Sequence, residues 1–160
     1  MLNELERPLS QRLLEIPTIR SRVNAIEAEM KKQPQLELRV ENYFSLGVYA
    51  RALYIPKDTI LVGKIHKYPQ LNFLMQGSMS VLVGEEIQTV SAPFIVASPA
   101  GTKRIAKALE DCIWVTVHGT NLTSVDEIEQ HFIAQDEDDF QKFVEEHSIR
   151  DMQLALPLDS

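Results

Sequence analysis

The sequence predicts an all-β core, a sandwich or barrel of about eight short strands, with a helix before it and short helices after it. Three observations predict this. Between residue 46 and Gly119 the chain breaks into short apolar runs bounded by Gly, Pro, Asp and Ser, the spacing of strands in a sandwich or barrel. No 3.6-residue period interrupts that stretch, so no helices alternate with the strands. On both sides of it the pattern changes to helical stripes and caps. The expected organisation is a helical extension over 1–42, a barrel over 43–120, and an acidic helical segment with a tail over 121–160.

Each element has its own signal. Leu9, Leu13, Ile16, Ile19, Val23, Ile26 and Met30 form one stripe, with steps of 3, 4, 3 and 4 from Ile16 onward, a helix over roughly 8–33. Pro17 lies inside it and is expected to split it, with the main helix starting there; Gln33-Pro34 ends it. Strands are expected over 46–55, 59–65, 71–76, 78–83, 87–90, 93–97, 102–109 and 112–118. Ser124-Val125-Asp126-Glu127 is a capping box that starts a short helix. Asp136-Glu137-Asp138-Asp139 places acids where a helix N-terminus favours them, and Phe140, Phe143, Val144 and His147 then share a face. Met152, Leu154, Leu156 and Leu158 alternate in a strand-like tail.

Composition narrows the function classes. The net charge of -7 is uneven: residues 1–42 carry seven basic and seven acidic side chains, 43–119 seven and five, 120–160 two and eleven. An acidic end and a weakly basic middle are no footprint for nucleic acid. No apolar run approaches the roughly 20 residues of a membrane span, and the charged N-terminus is not a signal peptide. The single cysteine, Cys112, lies in an apolar run and reads as an inert buried thiol in a reducing compartment. Ser78 and Ser80 lack a His-Asp context, Glu85-Glu86 reads as a solvated turn, and Trp114 reads as core. His131 and His147 fall on the expected helices, where packing or surface roles are the default.

GKIHKYPQLNFLMQG over Gly63–Gly77 and PFIVASPAGTKRIAKA over Pro93–Ala108 resemble the two motifs of the cupin superfamily, over about 75 residues in all. In the first motif Asp58 stands in the leading-glycine place, Lys64 and His66 in the two histidine places, Gln70 in the glutamate place and Gly77 in the closing-glycine place. In the second, Pro93 stands for the leading glycine, Pro99-Ala100-Gly101 matches the Pro-x-Gly turn, Arg104 replaces the histidine and Ala108 the asparagine. The resemblance implies a cupin-type jelly-roll β-barrel whose turns are kept and whose metal ligands are mostly replaced. IHKYPQLNFLMQG, SPAGTKRI and IWVTVHGTN also resemble small cupin-like proteins of tailed bacteriophages, which implies an infected bacterial cytoplasm or a virion, and a phage structural partner.

The barrel mouth supports several readings. On a strand alternate residues share a face, so Lys64 with His66, Gln70 with Asn72 and Leu74, and Trp114 with Thr116 and His118 form sets. Lys64, His66, Gln70, Asn72, Arg104 and His118 suit a small anion, with Arg104 taking a carboxylate or phosphate. The same groups read equally as a polar plug that needs no ligand. A fallback metal site would use His66, His118 and Gln70 or Asn72 with Mn, Fe, Ni or Zn, in an isomerase- or dioxygenase-type enzyme; Lys64 and Arg104 oppose it by like charge. No catalytic residue is assigned, and the leading expectation is a non-enzymatic module. The helix stripe reads first as packing on its own barrel; with the tail it also suggests a homodimer or higher oligomer, with Ile19, Val23, Ile26 and the tail leucines between chains, the alternative being that both segments fold back on their own barrel.

Overall fold

The computed structural model describes residues 9–83 and 86–147. The barrel is built from two antiparallel sheets. One has five strands in the order β1 (Arg39–Ser45), β2 (Val48–Ile55), β10 (Cys112–Gly119), β5 (Gln70–Gln76), β8 (Phe94–Ser98). The other has four, β3 (Ile60–Val62), β9 (Ile105–Ala108), β6 (Ser78–Val83), β7 (Glu86–Ser91). A short pair, β4 (Ile65–His66) with β11 (Ile133–Ala134), closes one end. The described residues also hold three helices: α1 (Leu9–Met30), α2 (Val125–Phe132) and α3 (Glu137–Glu146). This is a jelly-roll fold of two antiparallel sheets, with one helix before the barrel and two after it.

Turn chemistry sets the barrel's corners. Gly77 has φ 84, and a Cβ there would lie 2.5 Å from the Asp111 carbonyl oxygen, so only glycine fits. Asp58, in the leading-glycine place of the motif, adopts φ 68, a conformation aspartate tolerates better than most side chains. Between the sheets Ile55, Leu74, Met79, Val81, Ala108 and Cys112 form the main core. The Cys112 thiol lies within 3.2 Å of the Ser78 and Glu110 carbonyl oxygens, and burial pushes its pKa up, as expected of an inert core thiol.

Four expectations need correction. Helix α1 runs unbroken through Pro17; a proline removes one ladder bond at a cost of about 3 kcal/mol, and the helix is anchored further along by the barrel. The first sheet strand is β1, not the 46–55 run: Leu46 is 95% exposed in the β1–β2 turn, and the Arg39–Ser45 segment already lies in the sheet. The 59–65 run is two strands, because the chain leaves β9 after the Gly63 N–H bonds the Arg104 carbonyl (2.8 Å) and pairs next with β11. The 102–109 run is a strand only over Ile105–Ala108, its first residues being held by the Pro99–Thr102 turn and by α1.

Helix α1 docks on its own chain. Val23 is fully buried. Arg20 donates to both Glu137 carboxylate oxygens and to the Gly101 carbonyl (3.0 Å), with its guanidinium over the Phe140 ring. Lys103 reaches Asn24 Oδ1 (2.7 Å) and Glu27 (3.0 Å). The C-terminal helices form where expected: Ser124 and Asp136 cap them through the Glu127 and Asp139 N–H groups. Phe140 and Phe143 of α3 are buried with Ile65 and Ala134. His131 stacks on Tyr68 and His147 on Phe143, both packing roles. The tail, with Met152, Leu154, Leu156 and Leu158, lies outside the described residues, as does Glu85.

Candidate functional site

Strand register stacks the inward side chains of the barrel in layers. Ile55 opposes Cys112, and Met79 opposes Ala108. In the next layer Leu53 opposes Trp114, which opposes Leu74, while Leu61 and Val81 flank Ala106. These two layers are apolar. One step on, Arg51 opposes Thr116, which opposes Asn72, and Arg104 enters beside Gly63. The last layer holds Tyr49 opposite His118, with Gln70 and His66. Helix α2 lies across it: Ile128 and Phe132 pack with Tyr49, and the Phe132 ring stacks on His118 at 4.1 Å.

These layers enclose a cavity of about 150 Å³. All six residues expected at the mouth line it: Lys64, His66, Gln70, Asn72, Arg104 and His118. Trp114 also lines it, so it is a cavity wall as well as a core side chain. Sequence reading missed Arg51, Tyr49 and the α2 cover. The signal for Arg51 was present, since Tyr49, Arg51, Leu53 and Ile55 alternate along β2.

Part of the site is internally bonded. Ser98 Oγ accepts from Asn72 Nδ2 and from an Arg104 guanidinium N–H, each at 2.8 Å, and Thr116 Oγ1 donates to Asn72 Oδ1 at 2.8 Å. Asn72 is thereby used on both sides, which removes it from the fallback metal set. At the rim Lys64 pairs with Glu129 at 3.1 Å. Among the described residues three buried side-chain atoms have no protein partner: His66 Nδ1, His118 Nδ1 and Gln70 Oε1.

The electrostatics are one-sided. Among the lining residues Arg51, Lys64 and Arg104 are basic and Glu129 is the one carboxylate. Burial holds His66 down to about 3, helped by positive charge from His118, Arg104, Arg51 and Lys64. Burial likewise holds His118 down to about 4, with His131 adding. The two rings, 5.3 Å apart, are therefore neutral at physiological pH.

That environment does not fit the metal that the cupin resemblance of the sequence implies. The fallback donors His66, His118 and Gln70 are all neutral, and no described cluster of three His, Cys, Asp or Glu exists. The cations that depress His66 would oppose a divalent ion twice as strongly as a proton. The cavity thus has guanidinium groups midway down, an apolar floor of Leu53, Met79 and Trp114 beneath, and unpartnered polar atoms above.

Several solved structures are similar to part of this chain. A cupin superfamily protein from Desulfitobacterium hafniense is 8% identical with a TM-score of 0.45, covering 56% of this chain and 83% of that one. A cupin 2 conserved barrel domain protein from Salinispora arenicola is 12% identical, TM-score 0.44, covering 73% and 92%. KdgF from Halomonas sp. is 15% identical, TM-score 0.44, covering 54% and 87%. No family model and no curated protein matches the sequence. Among the described residues no helix is long and apolar enough to cross a membrane.

Proposed function

We propose that the barrel is a non-enzymatic binding site for a small carboxylate with an apolar body and a hydrogen-bond donor. The observation that carries this is the set of three unpartnered buried atoms around a cation-lined cavity. A plugged barrel would satisfy its own polar atoms, as buried groups nearly always do. Here Asn72, Ser98 and Thr116 are satisfied, while His66 Nδ1, Gln70 Oε1 and His118 Nδ1 are not. Arg51 and Arg104 supply the carboxylate's partners, Gln70 Oε1 accepts from a ligand hydroxyl, and the Leu53–Trp114 layer takes the body. The volume matches that of a cavity known to hold benzene, about 150 Å³, so the ligand is a single-ring or short-chain hydroxy acid.

Thermal shift and calorimetry with a panel of short-chain and single-ring hydroxy acids test this, each acid beside its neutral amide. Acids are expected to raise the melting temperature and amides not, with the rise lost in Arg51→Gln and Arg104→Gln. No shift from any acid, or equal shifts from acid and amide, would retire the reading. Action in a phage-infected bacterium or a virion, proposed on sequence resemblance, is tested by mass spectrometry of purified particles.

A further inference from the structure

The cavity reaches solvent beside α2. Of its described lining residues only Gly63 and Lys64 are exposed, so the opening lies where these two face the helix. Glu129 of α2 stands there and pairs with Lys64 at 3.1 Å. Under the same helix Ile128 and Phe132 are buried with Tyr49. The two ends of α2 are held differently. At the C-terminal end the Lys67 N–H donates to the Phe132 carbonyl (2.7 Å), and Ile133 and Ala134 pair with β4. Among the described residues no backbone-to-backbone bond ties 121–131 to the barrel. The N-terminal half of the helix therefore rests on side chains, with Ile128 inside and Glu129 at the rim.

We infer that Glu129 is the gate of the cavity: its carboxylate closes the opening by holding Lys64, and an entering anion opens it by taking Lys64 in its place. The anion's part rests on the carboxylate-binding reading of the barrel; the latch does not. Strength is the first argument. The two side chains are about half exposed, 55% and 43%, and such a pair is weak and screened by salt. The pairs that anchor α1 bury their cations instead, Arg20 at 4% and Lys103 at 6%. Those hold structure, whereas the rim pair can be exchanged. A destination is the second argument. Inside the opening Arg51 forms no hydrogen bond or ion pair with a described residue. Lys64, Arg51 and Arg104 all bear on the His66 ring, so rim and inner cations face one space, and a carboxylate leaving Lys64 meets Arg51. Sign is the third. Glu129 is the one carboxylate of the lining. Held by Lys64 it is neutralised; alone it repels an anion at the opening.

Trp114, the one tryptophan of the chain, lines the cavity and reports entry without a ligand. Quenching of its fluorescence by neutral acrylamide reads the latch, and quenching by iodide at matched ionic strength reads the charge. Acrylamide quenching is expected to rise about two- to fivefold in both Glu129→Gln and Lys64→Gln, the usual worth of such a pair expressed as opened fraction. It is expected to keep the wild-type value in Asp126→Asn, which removes an exposed acid of the same helix. Concentrated sodium chloride should raise the wild type toward the two variants and leave those variants unchanged, a readout that needs no substitution. The ratio of iodide to acrylamide quenching should rise in Glu129→Gln and fall in Lys64→Gln, where Glu129 stands uncompensated. Equal acrylamide quenching in wild type and both variants, or an equal rise in Asp126→Asn, would overturn the inference even if acids bind the barrel. An unchanged iodide ratio in Lys64→Gln would do the same. Quenching changes as expected, with no hydroxy acid bound, would confirm the latch and retire the carboxylate reading alone.

Discussion

Acidifying the protein from about pH 7 to about pH 5 tests the cavity's electrostatics directly. His66 titrates at about 3 and His118 at about 4 in the fold, against about 6.5 in the unfolded chain. The folded values are the lower ones, so the stability they carry is whole above the unfolded pKa. It is lost as pH falls toward the folded values. Over this interval the unfolded imidazoles take up protons and the folded ones stay largely neutral. The difference is worth about 2 kcal/mol per histidine, or about 4 kcal/mol for the pair. For a chain of this size that is a fall of about 10 °C in melting temperature. The figure needs only folded values below about 4.5. His131, lowered by burial, acts in the same direction and adds to it. Urea unfolding at several pH values gives the slope. His66→Gln and His118→Gln should each remove nearly half of the pH dependence, whatever their stability at neutral pH. A wild-type loss under about 1 kcal/mol, or variant profiles parallel to the wild type, would refute the reasoning.

Gly77→Ala should cost about 3 kcal/mol in urea unfolding, since its Cβ would meet the Asp111 carbonyl oxygen at 2.5 Å in a left-handed conformation; a loss below about 1 kcal/mol would contradict the corner geometry. Arg20→Ala should destabilise by about 2 kcal/mol, because it leaves the Gly101 carbonyl and Glu137 without their main donor, and hydrogen exchange should rise in α1. Cys112, 2% exposed, should resist a thiol reagent in the folded protein and react at unit stoichiometry in urea; fast native labelling would count against it. The melting temperature should hold in chelator and rise little with added Zn or Mn, as the neutral donors and nearby cations of the mouth require.

Turn residues made the barrel legible. Gly77, the Pro99–Gly101 turn and Asp58 act through their own backbone conformations, so their signal is local and readable whatever side chains stand in the ligand places. The lining of the mouth was legible for a related reason. Strand alternation and motif position together placed Lys64, His66, Gln70, Asn72, Arg104 and His118, and all six line one cavity. Features that depend on a distant partner were not legible. β1 has no apolar face of its own and is a strand because β2 pairs with it along its length. β11 is two residues whose partner is β4. The stripe on α1 read first as packing on its own barrel and left a neighbour open. Arg20 and Lys103, which commit it to the barrel, gave no periodic signal. Arg51 was hidden by its small neighbours, Ala50 and Ala52, which blur the alternation of β2.

The loop that brings Arg104 into the cavity is tied down from outside the barrel. Its Gly101 carbonyl is held by Arg20, and Lys103 runs to Asn24 and Glu27. Residues 39–119 contain every strand of the two main sheets, so a barrel cut from its N-terminal helix would keep its topology and lose its calibration. Lys103 would be left without its carboxylate one residue from Arg104. The helix is in this sense a tuning peg: the distance between the guanidinium groups and the apolar floor is set at a place no ligand touches.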